Sequence, residues 1–258
     1  MEFTWTYFFM LIAGFLAGIV NSLAGSGSVF TLSVLLFAGM PANIANATNR
    51  LGIIVQSFTS LTIFKKNEQL PVEKSWKYLI PSVGGAMIGA WVAVDIDRQL
   101  LERIIGYVMA FLLVILIFEP KKYLKNQSSK TSTYVWVEWM AFFGIGFYGG
   151  FIQAGIGVLI LVGLVSISQM SFVQANAIKV LVIFIYTLPV FGLFIYYDQI
   201  DWWAGIWLSI GQFLGSMIAS YFAVKNPNAN AWIKYLLIFM IALTILKMFG
   251  WLDFGISS

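Results

Sequence analysis

Four stretches of the chain contain no Asp, Glu, Lys or Arg: Tyr78–Val94, Ile104–Phe118, Trp139–Ile178 and Val180–Tyr197. A fifth uncharged run reaches from Phe3 to Asn49. Crossing about 30 Å of hydrocarbon takes about 20 helical residues, so such runs point to helices that traverse a bilayer. Outer-membrane strands alternate apolar and polar residues, and these runs do not, which sets a barrel aside. Composition agrees: 60% of residues are hydrophobic and 10% charged, with a mean hydropathy of +0.87. Soluble domains are about one quarter charged. The expected fold is therefore an all-α polytopic membrane protein.

The chain has no cysteine and no histidine. That excludes disulfides, zinc and haem sites built on these residues, thiol nucleophiles and histidine acid–base chemistry. No metal or cofactor is expected, and an enzyme is disfavoured. The net charge of +4 comes from lysines clustered in loops. It reads as membrane topology, with a lipid bilayer as partner and no nucleic acid. Glu2 and the lack of a basic leader make the N-terminus read as mature protein.

A shift of 130 positions lays the chain on itself without a gap over most of its length. Gly14 falls on Gly144, and Ala24-Gly25-Ser26-Gly27 on Ala154-Gly155-Ile156-Gly157. Ala45-Asn46-Ala47 falls on Ala175-Asn176-Ala177, Gln69 on Gln199, and Gly85, Met87 and Ile88 on Gly215, Met217 and Ile218. The expected organisation is a first membrane repeat over 1–120, a basic linker over 121–132 and a second repeat over 133–258. Each repeat reads as a long helix (about 4–23, then 134–153) and a half-span segment (about 28–38, then 158–168). Three more helices follow, at about 43–64, 76–94 and 100–118, then 173–196, 202–224 and 232–249. A half-span segment either crosses or re-enters, and the sequence leaves both open.

Charge sets the orientation. The loop 65–77 holds Lys65, Lys66, Lys74 and Lys77, and the linker 121–130 holds Lys121, Lys122, Lys125 and Lys130. Both are expected to be cytoplasmic. The counterpart of the first loop, around Asp198 and Asp201, has no Lys or Arg. Equivalent loops of opposite character imply two repeats of inverted topology, with both termini (Glu2, Asp253) outside.

Glycine and serine interrupt the apolar runs at Gly25, Ser26, Gly27 and Ser28, and glycine again at Gly155 and Gly157. Irregular backbone inside hydrocarbon is tolerated where it is buried in protein or lines a cavity. A new helix start there aims N–H groups and partial positive charge inward, which suits an anion. The two breaks are expected to meet near the midplane. A second constellation follows each break: Asn43, Asn46, Thr48, Asn49 and Arg50, against Gln174, Asn176 and Lys179. A charge in a membrane segment costs about 2.5–3.5 kcal/mol or more and usually serves function. The competing reading is a cation that snorkels to an interface. Gln153, Gln56 and Asn21 are candidate path-lining residues. Gly14-x-x-x-Gly18, Gly85-x-x-x-Gly89 and Gly211-x-x-x-Gly215 read as helix packing motifs. Gly144–Gly149 fits a dinucleotide pattern but follows no strand, so it carries no nucleotide.

The blocks "GFLAGIVNSLAGSGSVFTLSVLLFAGMPANIANATNR", "GIGFYGGFIQAGIGVLILVGLVSIS" with "QANAIK", and "DWWAGIWLSIGQFLGSMIASYFA" resemble the TauE/SafE family of sulfite-exporter-like transporters. The resemblance implies movement of small anions, chiefly sulfite and organosulfonates such as sulfoacetate, across a prokaryotic inner membrane. The family pattern has three glycines near Gly25–Ser28, where this chain carries serine. The expected function is secondary transport, in the sense of export, by alternating access. Gly25, Ser26, Gly27, Ser28, Asn46, Asn49 and Arg50 are expected as one half-site, and Gln153, Gly155, Gly157, Asn176 and Lys179 as the other. Arg50→Ala is expected to stay folded in the membrane with weakened anion binding. An anion channel, or a carrier of a small non-sulfur carboxylate, is the alternative. The sequence leaves the oligomeric state open, a homodimer included.

Overall fold

The computed structural model describes residues 2–23, 25–67, 75–118, 135–168, 170 and 172–225. Among them every regular element is a helix: α1 (Glu2–Leu23), α2 (Gly27–Phe37), α3 (Ala42–Lys66), α4 (Trp76–Asp95), α5 (Arg98–Phe118), α6 (Val135–Phe151), α7 (Ile156–Val162), α8 (Phe172–Tyr196) and α9 (Trp202–Lys225). The sequence-predicted helix at about 232–249, the linker 121–132, Asp253, Ala24, Gln69 and Lys74 lie outside the described residues.

Local chemistry explains the helix limits. α2 stops at Gly39, whose φ of +82° suits glycine, and Pro41 then opens α3 because proline tolerates a helix start but not an interior. α5 and α9 each begin on an aspartate cap: Asp97 Oδ1 accepts the Leu100 N–H at 3.0 Å, and Asp201 Oδ1 that of Ala204 at 3.0 Å. In the second half the short segment is less regular. α7 runs seven residues and passes into a wider π turn over Gly163–Ile167, closed by Ser168 N–H to Gly163 O at 3.3 Å.

Both short segments turn back. Thr6, Tyr7 and Met10 near the start of α1 line the same hollow as Ala38–Pro41 at the end of α2. In the other half, Gly163 beyond α7 lies against Phe142 and Ile145 of α6. The units α1–α2 and α6–α7 are thus hairpins, with the glycine breaks at their tips. α3 and α8, 25 residues each, pack on each other. At 1.5 Å per residue each spans roughly 37 Å.

The remaining packing exchanges helices between the halves. α1 and α3 lie on α9, while α6 and α8 lie on α4. The crossings are close because small residues allow it. A methyl group added at Gly18 of α1 would fall 2.8 Å from the Ser216 nitrogen of α9. One added at Gly85 of α4 would fall 2.8 Å from the Phe147 nitrogen of α6. All three sequence packing motifs face another helix in this way. Lys77 Nζ and Glu138 Oε2 pair at 2.8 Å, so α4 and α6 begin at the same end of the molecule.

Two apolar cores result. One joins Tyr78, Phe142, Ile156, Ile160, Ile178, Val182, Tyr186 and Phe194. The other surrounds α2 through Val29, Leu32, Leu35, Leu101, Ile105 and Leu208. The outer surface is also apolar: Phe9, Phe58, Trp91, Phe111, Met140 and Ile218 are exposed. A contiguous apolar exterior is a liability in water and suits hydrocarbon. Between the cores lies a buried polar seam.

Candidate functional site at the crossing of two broken helices

The hairpin tips touch. Gly25, with φ +81°, presses its backbone on Gly157, and a methyl group at Gly25 would sit 2.7 Å from the Gly157 carbonyl carbon. Only glycine at both positions permits this approach without strain. Ser28 ties the tips together: its Oγ–H donates to Gln153 O at 3.0 Å, and its Oγ accepts the Gly155 N–H at 3.1 Å. Gly155 and Gln153 have φ of +67° and +62°, an uncommon region for a glutamine. The Gln153 amide Nε2 donates to Thr187 Oγ1 at 3.0 Å. Thus the predicted residues Gly25, Ser28, Gln153, Gly155 and Gly157 come together in one buried junction. Ser26 and Gly27 are buried beside it.

Many N–H groups at the breaks already have acceptors. Gly25 N–H bonds Val20 O, Ser28 N–H bonds Asn21 Oδ1, Ile156 N–H bonds Gln153 O, and Val158 N–H bonds Gly155 O. On the other side of each break α1 and α6 end and present their last carbonyls. A helix end leaves such carbonyls without intrahelical partners and carries partial negative charge.

The second constellation meets that need. Asn46 Nδ2 of α3 donates to Phe151 O at 2.8 Å, and Arg50 donates through NH1 to Gly149 O at 3.1 Å and through NH2 to Gly150 O. Asn176 Nδ2 of α8 donates to Ser22 O at 3.2 Å, and Lys179 Nζ donates to Asn21 O at 3.0 Å and to Asn176 Oδ1 at 2.7 Å. Each long helix therefore caps the broken helix of the other half with one asparagine and one cation. Asn49 instead accepts the Thr31 hydroxyl of α2. Both cations are fully buried, and among the described residues the one ion pair is the distant Lys77–Glu138. No cluster of metal-ligating side chains occurs among the described residues.

The surroundings of the two cations differ. The Phe194 ring covers the Arg50 guanidinium at 4.9 Å, and Tyr186 is fully buried in the core beside α6. Lys179 instead lines a cavity of about 10 Å³ together with Asn21, Ser22, Gln56, Ser57 and Ser60. Ser60 Oγ accepts from Ser220 of α9 at 2.9 Å and lies 3.2 Å from Ser22 Oγ. Gln56 and Asn21 were legible as path-lining candidates. Sequence reasoning missed Ser22, Ser57, Ser60 and Ser220. A signal was present: Ser209, Gln212, Ser216 and Ser220 recur at three- and four-residue intervals, one face of α9, and all are buried.

Comparisons with known proteins point to membrane proteins. Residues 10–248 match the family described as Sulfite exporter TauE/SafE. A protein of Sinorhizobium sp. named "Probable membrane transporter protein ORF9" is 26% identical over 237 residues, 92% of this chain and 90% of that one. A "Probable membrane transporter protein" of Haemophilus influenzae is 24% identical over 246 residues, 95% and 96% of the two chains. "Probable membrane transporter protein YfcA" of Escherichia coli is 26% identical over 217 residues, 82% and 78% of the two chains. No solved structure matches. With its family match covering nearly the whole chain, this protein belongs to the sulfite exporter TauE/SafE family of membrane proteins.

Proposed function

We propose that the chain is a multi-pass secondary transporter of the prokaryotic inner membrane that exports a small anion, sulfite or an organosulfonate, by alternating access. The observation that carries this reading is the crossing of two interrupted helices at Gly25 and Gly157, flanked by two buried cations. Interrupted helices that meet between inverted repeats are where secondary transporters bind their substrates. Buried cations with no carboxylate paired to them among the described residues favour an anionic cargo.

The inverted repeat is part of the same proposal. Its support is the exchange of partners: α1 on α9 answers α6 on α4, α3 on α9 answers α8 on α4, and α3 meets α8 across the centre. The hairpins α1–α2 and α6–α7 then re-enter from opposite faces. The lysines of 65–77 and 121–130 assign the cytoplasm to the end where α4 and α6 begin, leaving Asp201 and the termini outside. Transport consists of one bundle rocking on the other about the Gly25–Gly157 contact.

Thermal stabilisation tests the cargo. A ligand that binds only the native state raises stability by mass action, about 2.7 kcal/mol at one hundred times its Kd. Sulfite, sulfate, thiosulfate, sulfoacetate, taurine, acetate and chloride are compared on the purified protein. A rise in Tm with sulfite or sulfoacetate, and a smaller one with chloride, is expected. No rise with any of the seven would count against an anion carrier.

A further inference from the structure

The two half-sites are related by the repeat, yet their chemistry has diverged. On the 130-residue shift, Gln56 corresponds to Tyr186, Ser57 to Thr187, Ser60 to Val190, and Asn21 and Ser22 to Phe151 and Ile152. Thus the space beside Lys179 is lined by amides and hydroxyls. The equivalent space beside Arg50 is filled by Tyr186, with Phe194 over the guanidinium face.

We infer that the anion binds in the cavity between α1, α3 and α8 at Lys179, Gln56, Ser57 and Ser60, and that Arg50 is a structural clamp which does not touch it. This rests on the transport reading above and assigns that reading a single, asymmetric subsite. Three observations carry it. Lys179 lines the cavity and spends two of its three N–H donors on Asn21 O and Asn176 Oδ1, leaving one for a ligand, whereas Arg50 donates to two carbonyls and, although its Nε has no partner among the described residues, has the Phe194 ring over its guanidinium. Gln56 is 5% exposed and lines the cavity with an amide oxygen that has no hydrogen-bond partner among the described residues. Buried polar groups are nearly always paired, so this oxygen is open to a partner, as are Ser26 Oγ, Gln153 Oε1 and Arg50 Nε elsewhere in the seam; Gln56 is the one of these that lines the cavity at Lys179. Turning that amide over presents its N–H₂ instead. Finally, the Ser57 hydroxyl at the cavity wall can turn between donor and acceptor, whereas Ser22 donates to Gly18 O at 2.9 Å and Ser60 is held between Ser22 and Ser220.

The donor set fixes the ligand class. One ammonium balances one negative charge, and the Ser57 hydroxyl with the Gln56 and Asn21 amides suits several oxygens on one small centre. The ligand is a small oxyanion of net charge about −1, as hydrogensulfite, a short sulfonate or a short carboxylate would be. At about 10 Å³ the cavity holds one water. An oxyanion enters once α3 and α8 part, so its binding is tied to the rocking motion rather than to an open pore.

Sulfite, acetate and chloride titrations on protein in nanodiscs test the assignment, with wild type, Ser57→Ala, Gln56→Leu, Lys179→Gln and Arg50→Lys. Losing one hydrogen bond to a charged ligand weakens binding about tenfold or more. Ser57→Ala and Gln56→Leu are expected to weaken sulfite binding about tenfold each, and Lys179→Gln about a hundredfold. Arg50→Lys keeps wild-type affinity while lowering Tm. Should Lys179→Gln fail to fold, the two α3 variants decide. Wild-type sulfite affinity in both Ser57→Ala and Gln56→Leu overturns the subsite and leaves the transport reading standing. So does a well-folded Arg50→Lys protein that no longer binds sulfite. Wild-type protein that binds none of the three anions overturns the subsite and the transport reading together.

Discussion

Gly157→Ala is expected to be among the most damaging single methyl additions in this chain. The new Cβ would fall 2.5 Å from the Gly25 Cα and 2.8 Å from its carbonyl carbon. Those atoms are backbone and have nowhere to go. Gly25 is already in the left-handed region, its N–H is held by Val20 O at 3.1 Å, and Ser28 next door is locked to both sides of the other break. Forcing extra volume into a packed site costs typically 1–3 kcal/mol, and contacts with immobile backbone put this case at about 3 kcal/mol or above. Gly144→Ala is the matched control, since its added methyl group meets nothing within 4 Å. Substitutions away from such contacts usually stay within about 0.5 kcal/mol. Size-exclusion profiles and Tm in detergent compare the two. Equal stability of both variants would show that the hairpin tips do not meet as described.

Arg50→Ala has the second large effect, and it falls on stability. The guanidinium satisfies the buried carbonyls of Gly149 and Gly150 at the end of α6, and removing it leaves both without that donor. Each orphaned buried group costs about 1–3 kcal/mol, so the variant should lose roughly 3–5 kcal/mol. Arg50→Lys retains a charge and part of the capping and should lose about half as much, because lysine lacks the rigid fork. Chemical denaturation in micelles measures both. The sequence alone suggested a folded Arg50→Ala protein with weakened anion binding. A variant of wild-type stability that has lost sulfite binding would restore that reading and contradict the clamp.

Much of the architecture is legible in the chain because hydrocarbon imposes a simple rule on side chains. The pattern of apolar segments bounded by charged or polar loops gives α3, α4, α8 and α9 to within about two residues, and the constant shift pairs Gly25 with Gly155 and Asn46 with Asn176. Position along the chain does not reveal direction, so the turning back of α2 and α7 needed coordinates. The roles of Arg50 and Lys179 were hidden for a related reason. Their partners across the halves are backbone carbonyls of Gly149, Gly150 and Asn21, and carbonyls have no letter in a sequence. The hydroxyl seam of Ser22, Ser57, Ser60 and Ser220 was obscured differently. Each serine alone looks like an ordinary packing residue, and only helix crossing brings four of them to one place.

The most direct test of the central claim is sulfite flux from proteoliposomes loaded with a range of sulfite concentrations. A carrier that rocks about the Gly25–Gly157 contact must complete one conformational cycle per anion, on the microsecond-to-millisecond scale or slower. Efflux is expected to saturate with sulfite concentration, to turn over below about 10⁴ anions per second per protein, and to fall sharply in Lys179→Gln. Flux that rises without saturation and appears as unitary currents, or liposomes no leakier to sulfite than protein-free ones, would contradict it.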